Sequence, residues 1–254
     1  MVRAARIPQL FVGTLVAMGV GMQPLQPRPA PPFLPTVDSG NDTVRSFMAG
    51  TYRWMVLGLA VTGGAVLVIG LSPPLALLAA KLRWLLFFAQ LGVVFAFSFL
   101  LRRLPAPAAG AMFLFYALLV GATFSGLLFA VGPALVGQAF FVSAGAFAGL
   151  SLWASVTKRD LSGWGTFLLV GLIGIVLAGV VNLFVGSGMI AFVASCAGVV
   201  VFGGLTAYDT QRLRALAAEG HGTPTRAIHG ALMLYLDFIN LFLSVLSLSS
   251  GRRR

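Results

Sequence analysis

The sequence predicts an all-α membrane protein with seven transmembrane helices, on three observations. Hydrophobic residues make up 59% of the 254 and charged residues 9%, with a mean hydropathy of +0.97. Soluble domains carry about 25% charged residues. From Tyr52 onward, apolar runs recur at near-spanning length, for which about 20 residues are needed. The cations behind the net charge of +11 sit in short clusters between those runs. That is the pattern of membrane topology, not of a phosphate-tracking surface, so nucleic acid is excluded as a partner and the lipid bilayer is the expected one.

Residues 1–44 stand apart. Arg3 and Arg6 precede an apolar stretch from Ile7 to Val20, which resembles a signal-peptide core and is short for a span. The proline-rich run from Pro24 to Pro35 favours an extended linker. This tail reads as accessory or disordered, or as the product of a start codon placed too far upstream, ahead of a transmembrane domain over 45–254. The first helix is expected over 54–72, ended by Ser72-Pro73-Pro74, and the second over 83–101, ended ahead of Pro105-Ala-Pro107. The third, 110–130, stops at Gly132-Pro133; the fourth and fifth cover 137–156 and 164–185, the latter closed by Gly186-Ser-Gly188. The sixth, 189–217, runs past the membrane edge on the helix formers between Gln211 and Ala218. The seventh covers 228–248. Small residues such as Gly145, Gly149, Gly171 and Gly174 suit close helix packing in lipid.

Loop charge orients the bundle. With the N-terminus cytoplasmic, the inner connections hold Arg102, Arg103, Lys158, Arg159, Arg212, Arg214 and Arg226, and the outer loops only Lys81 and Arg83. Seven spans then put Arg252, Arg253 and Arg254 outside, against the rule. Six spans with a re-entrant segment is the alternative.

The chemistry gathers on two helices. The seventh carries Asp237, Asn240, Ser244 and Ser247 at spacings of three, four and three, one polar stripe on a face of Leu, Phe and Ile. Static interhelical hydrogen bonds, about 0.6 kcal/mol each, would explain the serines and Asn240. An aspartate costs about 2.5–3.5 kcal/mol at the centre of a span and implies a cavity or a partner. On the sixth helix Thr206, Asp209 and Thr210 form a second patch, and Asp209 has Arg212 at i+3 as an alternative interfacial partner. Counted along the helices, both carboxylates fall at similar depth. Two facing carboxylates in a poorly solvated site cannot both ionise cheaply and titrate as a pair, which suits them to sensing pH. Calcium takes six to eight oxygens, so the pair, with Thr206, Asn240 and Ser244 as pore-lining candidates, makes a weak site fit for transit.

Other chemistry is thin. There is no Walker-type phosphate loop, and Lys81 and Lys158, the only lysines, are off the seventh helix, which excludes a retinal Schiff base. Cys196 is a lone cysteine. His221 and His229 read as solvated inner-loop residues, and Trp54, Trp84, Trp153 and Trp164 as interfacial anchors.

Thr206-Ala-Tyr-Asp-Thr-Gln-Arg212 together with Leu234-Tyr-Leu-Asp-Phe-Ile-Asn-Leu-Phe242 resembles the bacterial branch of the transmembrane Bax inhibitor-1 motif family. Thr157-Lys-Arg-Asp-Leu-Ser162, Gly165-Thr-Phe-Leu168 and Val181-Asn-Leu-Phe184 extend the likeness over about 45–250. The resemblance implies two three-helix layers around a central C-terminal helix, in a bacterial inner membrane. It implies a pH-sensitive calcium leak channel, with no cofactor and calcium as the permeant ion. Asp209 and Asp237 would be the sensor and the transient calcium ligands. An arginine late in the second helix, for which Arg102 is the candidate and Arg103 or Arg212 the substitutes, would latch onto the first aspartate. Acidification would break the latch and release the central helix. Two other readings remain: a non-conducting regulator of a membrane protease or survival partner, and, more remotely, an intramembrane aspartyl protease. Against proteolysis, Leu234-Tyr-Leu precedes Asp237 where a Gly-x-Gly is expected, and Pro133-Ala-Leu135 lies between helices three and four.

Overall fold

The computed structural model describes residues 39–100 and 103–251. Most of the expected tail, the latch candidate Arg102 and the C-terminal arginines lie outside them. Among the described residues every regular element is a helix.

Helix α1 (Ser39–Gly70) begins well before the first apolar run. Its polar first turns bury Phe47, Met48 and Thr51 within the bundle. The proline pairs expected to break the chain instead start helices. Pro73 and Pro74 open α2 (Pro73–Lys81), Pro107 lies in the first turn of α4 (Ala106–Phe124), and Pro133 opens α6 (Pro133–Val156). Proline suits a first turn, where its missing N–H has no intrahelical partner to lose. Between them lie α3 (Arg83–Leu100) and the single turn α5 (Leu127–Val131). A 3-10 turn, Ser162–Trp164, leads into α7 (Gly165–Val185), which Gly186 ends in the left-handed region at φ +66°, its N–H donating to Asn182 O at 2.8 Å. The long α8 (Gly188–Ala218) and α9 (Pro224–Gly251) follow.

Six of the described helices are long and apolar enough to cross a membrane, α4 and α5 counting as one. The pair α2 and α3, which meet at Leu82 with a bend of 69°, makes a seventh if the two count as one broken span rather than a re-entrant loop. The expected second helix is thus preceded by a short helical arm. This is the segment on which the choice between six and seven spans turns.

The helices assemble as two layers on a central post. α1, α3 and α4 form one layer through α1–α4 and α3–α4 packing; α6, α7 and α8 form the other through α6–α8 and α7–α8. α9 packs on α1, α4, α6 and α8. Its most apolar window is 56% buried, against 6% for the peripheral α7. Phe141, Leu183 and Phe184 on the outer faces are exposed, as a lipid-facing surface requires. Trp84, Trp153 and Trp164 are exposed too, but Trp54 is half-buried, its ring filling the space where Gly110 lacks a side chain.

Close approach depends on small residues. At Gly121 an added Cβ would stand 2.6 Å from Ala65 Cβ and from Thr62 O, so α4 crosses α1 almost backbone to backbone there. Beside this crossing, Thr62 Oγ1 donates to Ala117 O at 3.0 Å and lies 2.7 Å from the Tyr235 hydroxyl. With the single threonine proton committed to Ala117, Tyr235 is the donor of the second bond. Tyr235 is fully buried, with Phe113 and Tyr116 edge-on at centroid distances of 5.5 and 6.0 Å. One hydroxyl chain therefore ties α9 to α1 and α4.

A carboxyl pair at the centre of the bundle

α8 and α9 are neighbours along most of their length, and their facing stripes meet. Asp209 and Asp237 are both buried, and their carboxyl groups come within hydrogen-bonding reach of one another. Asp237 Oδ2 is buried without a hydrogen-bond partner. The charge of Arg212, one turn after Asp209, acts on Asp209. No side-chain ion pair to either aspartate falls within 4.0 Å among the described residues; the one pair found there is His221 Nδ1 to Glu219 Oε2 at 3.6 Å. Of the two substitute latch residues, Arg212 is the one whose field reaches the site, and Arg103 is exposed.

The hydroxyl and amide groups around the pair are mostly satisfied by their own helices. Thr206 Oγ1 donates to Phe202 O at 2.8 Å, Asn240 Nδ2 to Leu236 O at 2.8 Å, and Ser244 Oγ to Asn240 O at 2.8 Å. Thr206 is fully buried and Ser244 nearly so, packed against Gly198. Two contacts cross between helices: Ser151 Oγ with Thr210 Oγ1 at 3.3 Å, and Ser195 Oγ donating to Ser247 Oγ at 2.8 Å. None of the cavities described here is lined by Asp209, Asp237, Thr206, Asn240 or Ser244.

Toward the end of the bundle that carries the α8–α9 connection, the surroundings become polar. A cavity of about 920 Å³ is lined by Arg212, Glu219, His221, Arg226, His229 and Leu104, among others. His229 is not a loop residue: it lies in α9, partly buried, stacked on Phe97 at 5.9 Å, with Nδ1 buried and unpartnered. The Thr157–Ser162 loop is held to α8 by Gln211, whose Oε1 accepts from Leu161 N–H and whose Nε2 donates to Arg159 O, both at 2.8 Å. Within that loop Asp160 accepts from the Ser162 N–H and hydroxyl, which hold its carboxyl below the usual carboxylate range.

The contact itself allows limited chemistry. Two carboxyls in contact can share one proton, and their joint charge changes with its loss or gain. They can also offer oxygens to a cation, but few: among the described residues no group of three or more His, Cys, Asp or Glu comes together, and calcium wants six to eight oxygens.

These two aspartate segments fall inside a match to the family described as Inhibitor of apoptosis-promoting Bax1, which extends over residues 44–254. The chain belongs to that family. Several bacterial proteins are similar to this Bax inhibitor-1 protein. It is 50% identical over 214 residues to an uncharacterised protein of Deinococcus radiodurans, covering 83% of this chain and 93% of that one. It is 38% identical over 218 residues to the inner membrane protein YbhL of Escherichia coli, with the same coverage of each, 83% and 93%. A membrane protein of Streptococcus pyogenes is 43% identical over 159 residues, 62% of this chain and 69% of that protein. The Bax inhibitor-1 chain is a multi-pass membrane protein.

Proposed function

We propose that this protein is a pH-sensitive calcium, or more generally cation, leak channel of a bacterial inner membrane, with its N-terminus cytoplasmic. The observation that carries the proposal is the contact of Asp209 and Asp237 inside the bundle, with Asp237 Oδ2 left unpartnered. Neutral hydroxyls would join two helices at lower cost than a pair of carboxyls. In this reading the pair is the proton sensor and a transient ligand for the permeant ion. Proton exchange at the pair resets its charge, its hold on Arg212 and the fit of α8 against α9. Thr206, Asn240 and Ser244 would line the path once α9 shifts, exchanging their own-helix acceptors for water or ion. The inner-membrane location is supported by the relationship to YbhL, and the orientation by the loop cations.

Calcium flux into proteoliposomes over a series of pH values tests this, with Asp209→Asn and Asp237→Asn beside wild type. A pH-dependent flux that either variant flattens is the expected result. Flux no greater than in empty liposomes at every pH would refute conduction.

One observation favours a second reading, a non-conducting regulator of a membrane protein partner. The pair is enclosed, and the described cavities do not reach it. An enzymatic role as an aspartyl protease also needs two facing carboxyls, but the Leu234-Tyr-Leu sequence before Asp237 is unlike that of such proteases, so we read the protein as a non-enzyme.

A further inference from the structure

α1 and α6 flank α9 and leave an apolar groove between them. Two cavities, of about 830 and 360 Å³, share Leu59, Gly63, Phe140 and Phe238 and so run into one another. Along α1 the lining extends from Tyr52 to Leu67, about 22 Å at 1.5 Å per residue, a large part of a hydrocarbon core about 30 Å thick. The groove is wide because its walls are small: a Cβ added at Gly63 or Gly64 meets nothing within 4 Å. Its floor is the ring of Phe238, with Phe140 and Phe147 edge-on to it at 5.5 and 5.7 Å.

The chemistry of the walls restricts the occupant. The serine and threonine hydroxyls along the groove already have partners, and Tyr52 stands at its mouth: Ser155 Oγ donates to Ser151 O at 2.8 Å, Ser151 Oγ meets Thr210 Oγ1, and Thr62 is bound to Ala117 O and Tyr235. A polar ligand finds little to bind, and an apolar groove at membrane depth holds hydrocarbon in preference to water.

The walls are free of charge, and cations stand at the Tyr52–Ser155 mouth. Residues 54–80 and 121–156, which include most of the two walls, contain no Asp, Glu, Lys or Arg. At the Tyr52–Ser155 end the exposed side chains of Arg53 and Arg45 stand on α1, the latter two turns before Tyr52 on the same face. Exposed Lys158 and Arg159 follow Ser155 by about a turn. Asp42 and Asp160 are the acidic residues near this mouth, and Asp160 is engaged by Ser162. The balance is cationic, beside an apolar slot.

We propose that the groove is a binding site for an anionic phospholipid, one acyl chain lying between α1 and α6 over Phe238 and the phosphate among Arg45, Arg53 and Lys158. An apolar slot with cations at one end matches such a lipid and distinguishes it from the zwitterionic lipids of the same bilayer. The site does not involve the aspartate pair, so it stands or falls separately from the leak.

The test is photolabelling of the full chain, reconstituted in liposomes, with phosphatidylglycerol carrying a diazirine midway along one acyl chain. A phosphatidylcholine probe with the same chain serves as comparison. Labelled peptides are expected over 52–67 and 133–155 well above those of the peripheral α7. The phosphatidylglycerol probe should label the groove about fivefold better for each basic residue engaged. Gly63→Phe and Ala148→Phe, which fill the groove from opposite walls, should each abolish most groove labelling while leaving α7 labelling and monodispersity as in wild type; two variants guard against one that misfolds. Arg53→Gln with Lys158→Gln should remove the preference between headgroups. Groove labelling no stronger than that of α7, or unaffected by both fillings, would mean annular lipid only and overturn the proposal. Equal labelling by the two probes would overturn the anionic specificity.

Discussion

The hydroxyl chain from Tyr235 through Thr62 to Ala117 makes an ordered prediction about stability. Tyr235→Phe removes the first donor and leaves Thr62 still donating to Ala117 O. Nothing is orphaned, so the loss is that of one interhelical bond, about 0.6 kcal/mol in a membrane protein. Thr62→Val keeps the shape but strands the Tyr235 hydroxyl in a fully buried position. Ala117 O keeps its own helix's i+4 amide as a partner, so one stranded group remains, at a cost of about 1–3 kcal/mol. The double variant Thr62→Val/Tyr235→Phe removes the stranded group as well and should be more stable than Thr62→Val alone. Equilibrium unfolding in mixed micelles, followed by intrinsic fluorescence, measures all four corners of the cycle. Additive losses, or a Tyr235→Phe cost equal to or above that of Thr62→Val, would refute the assigned donor order and with it the chain.

Other outcomes follow from single contacts. Gly121→Leu drives a side chain into Ala65 and the Thr62 backbone and should destabilise the bundle by about 1–3 kcal/mol in the same unfolding assay. Ser247→Ala removes one bond to Ser195 and should cost about 0.6 kcal/mol; a cost several times larger would mean that the contact does more than join two helices. Asp237→Asn should flatten the pH response of calcium flux, and an unchanged profile would remove the pair from the sensor role. Asp160, by contrast, has its pKa depressed by Ser162. Its contribution is therefore present at neutral pH and lost only as pH falls through the lowered value, beneath the ordinary carboxylate range. Asp160→Asn should speed protease nicking of the Thr157–Ser162 loop without moving the pH midpoint of any flux.

The aspartate pair was legible because burying a carboxylate in hydrocarbon is costly and counting residues along two helices gives depth. The extent of the helices was less so. Hydropathy reports where a chain meets lipid, and the first fifteen residues of α1 meet other helices instead, through Phe47, Met48 and Thr51. Pro73-Pro74 and Gly132-Pro133 marked real discontinuities, but proline punctuates by starting helices as readily as by ending them. Spacing puts Asn240 and Ser244 on the same face as Asp237. Spacing gives the face and not the rotamer, and both side chains turn back onto carbonyls four residues earlier. Thr62, the lone hydroxyl between Trp54 and Leu71, was the available signal for the tie to Tyr235. His229 stands one residue inside the helix expected over 228–248, and the start of α9 at Pro224, more than a turn earlier, places it within the helix and away from the connection.

The placement of α9 has a consequence for biogenesis. Every other described span precedes it in the chain, so the helices of both layers enter the bilayer before the post that they pack around has been made. At about 5–20 residues per second the ribosome needs a few seconds to extend from α8 to the end of α9. During that interval Thr62 and Asp209 face no Tyr235 or Asp237, and the inner faces of α1, α4, α6 and α8 lack the helix they pack on. Nascent chains stalled within α9 would leave those polar groups without their partners inside the membrane, at a cost in free energy. The helix that packs on both layers is thus made after the layers it joins.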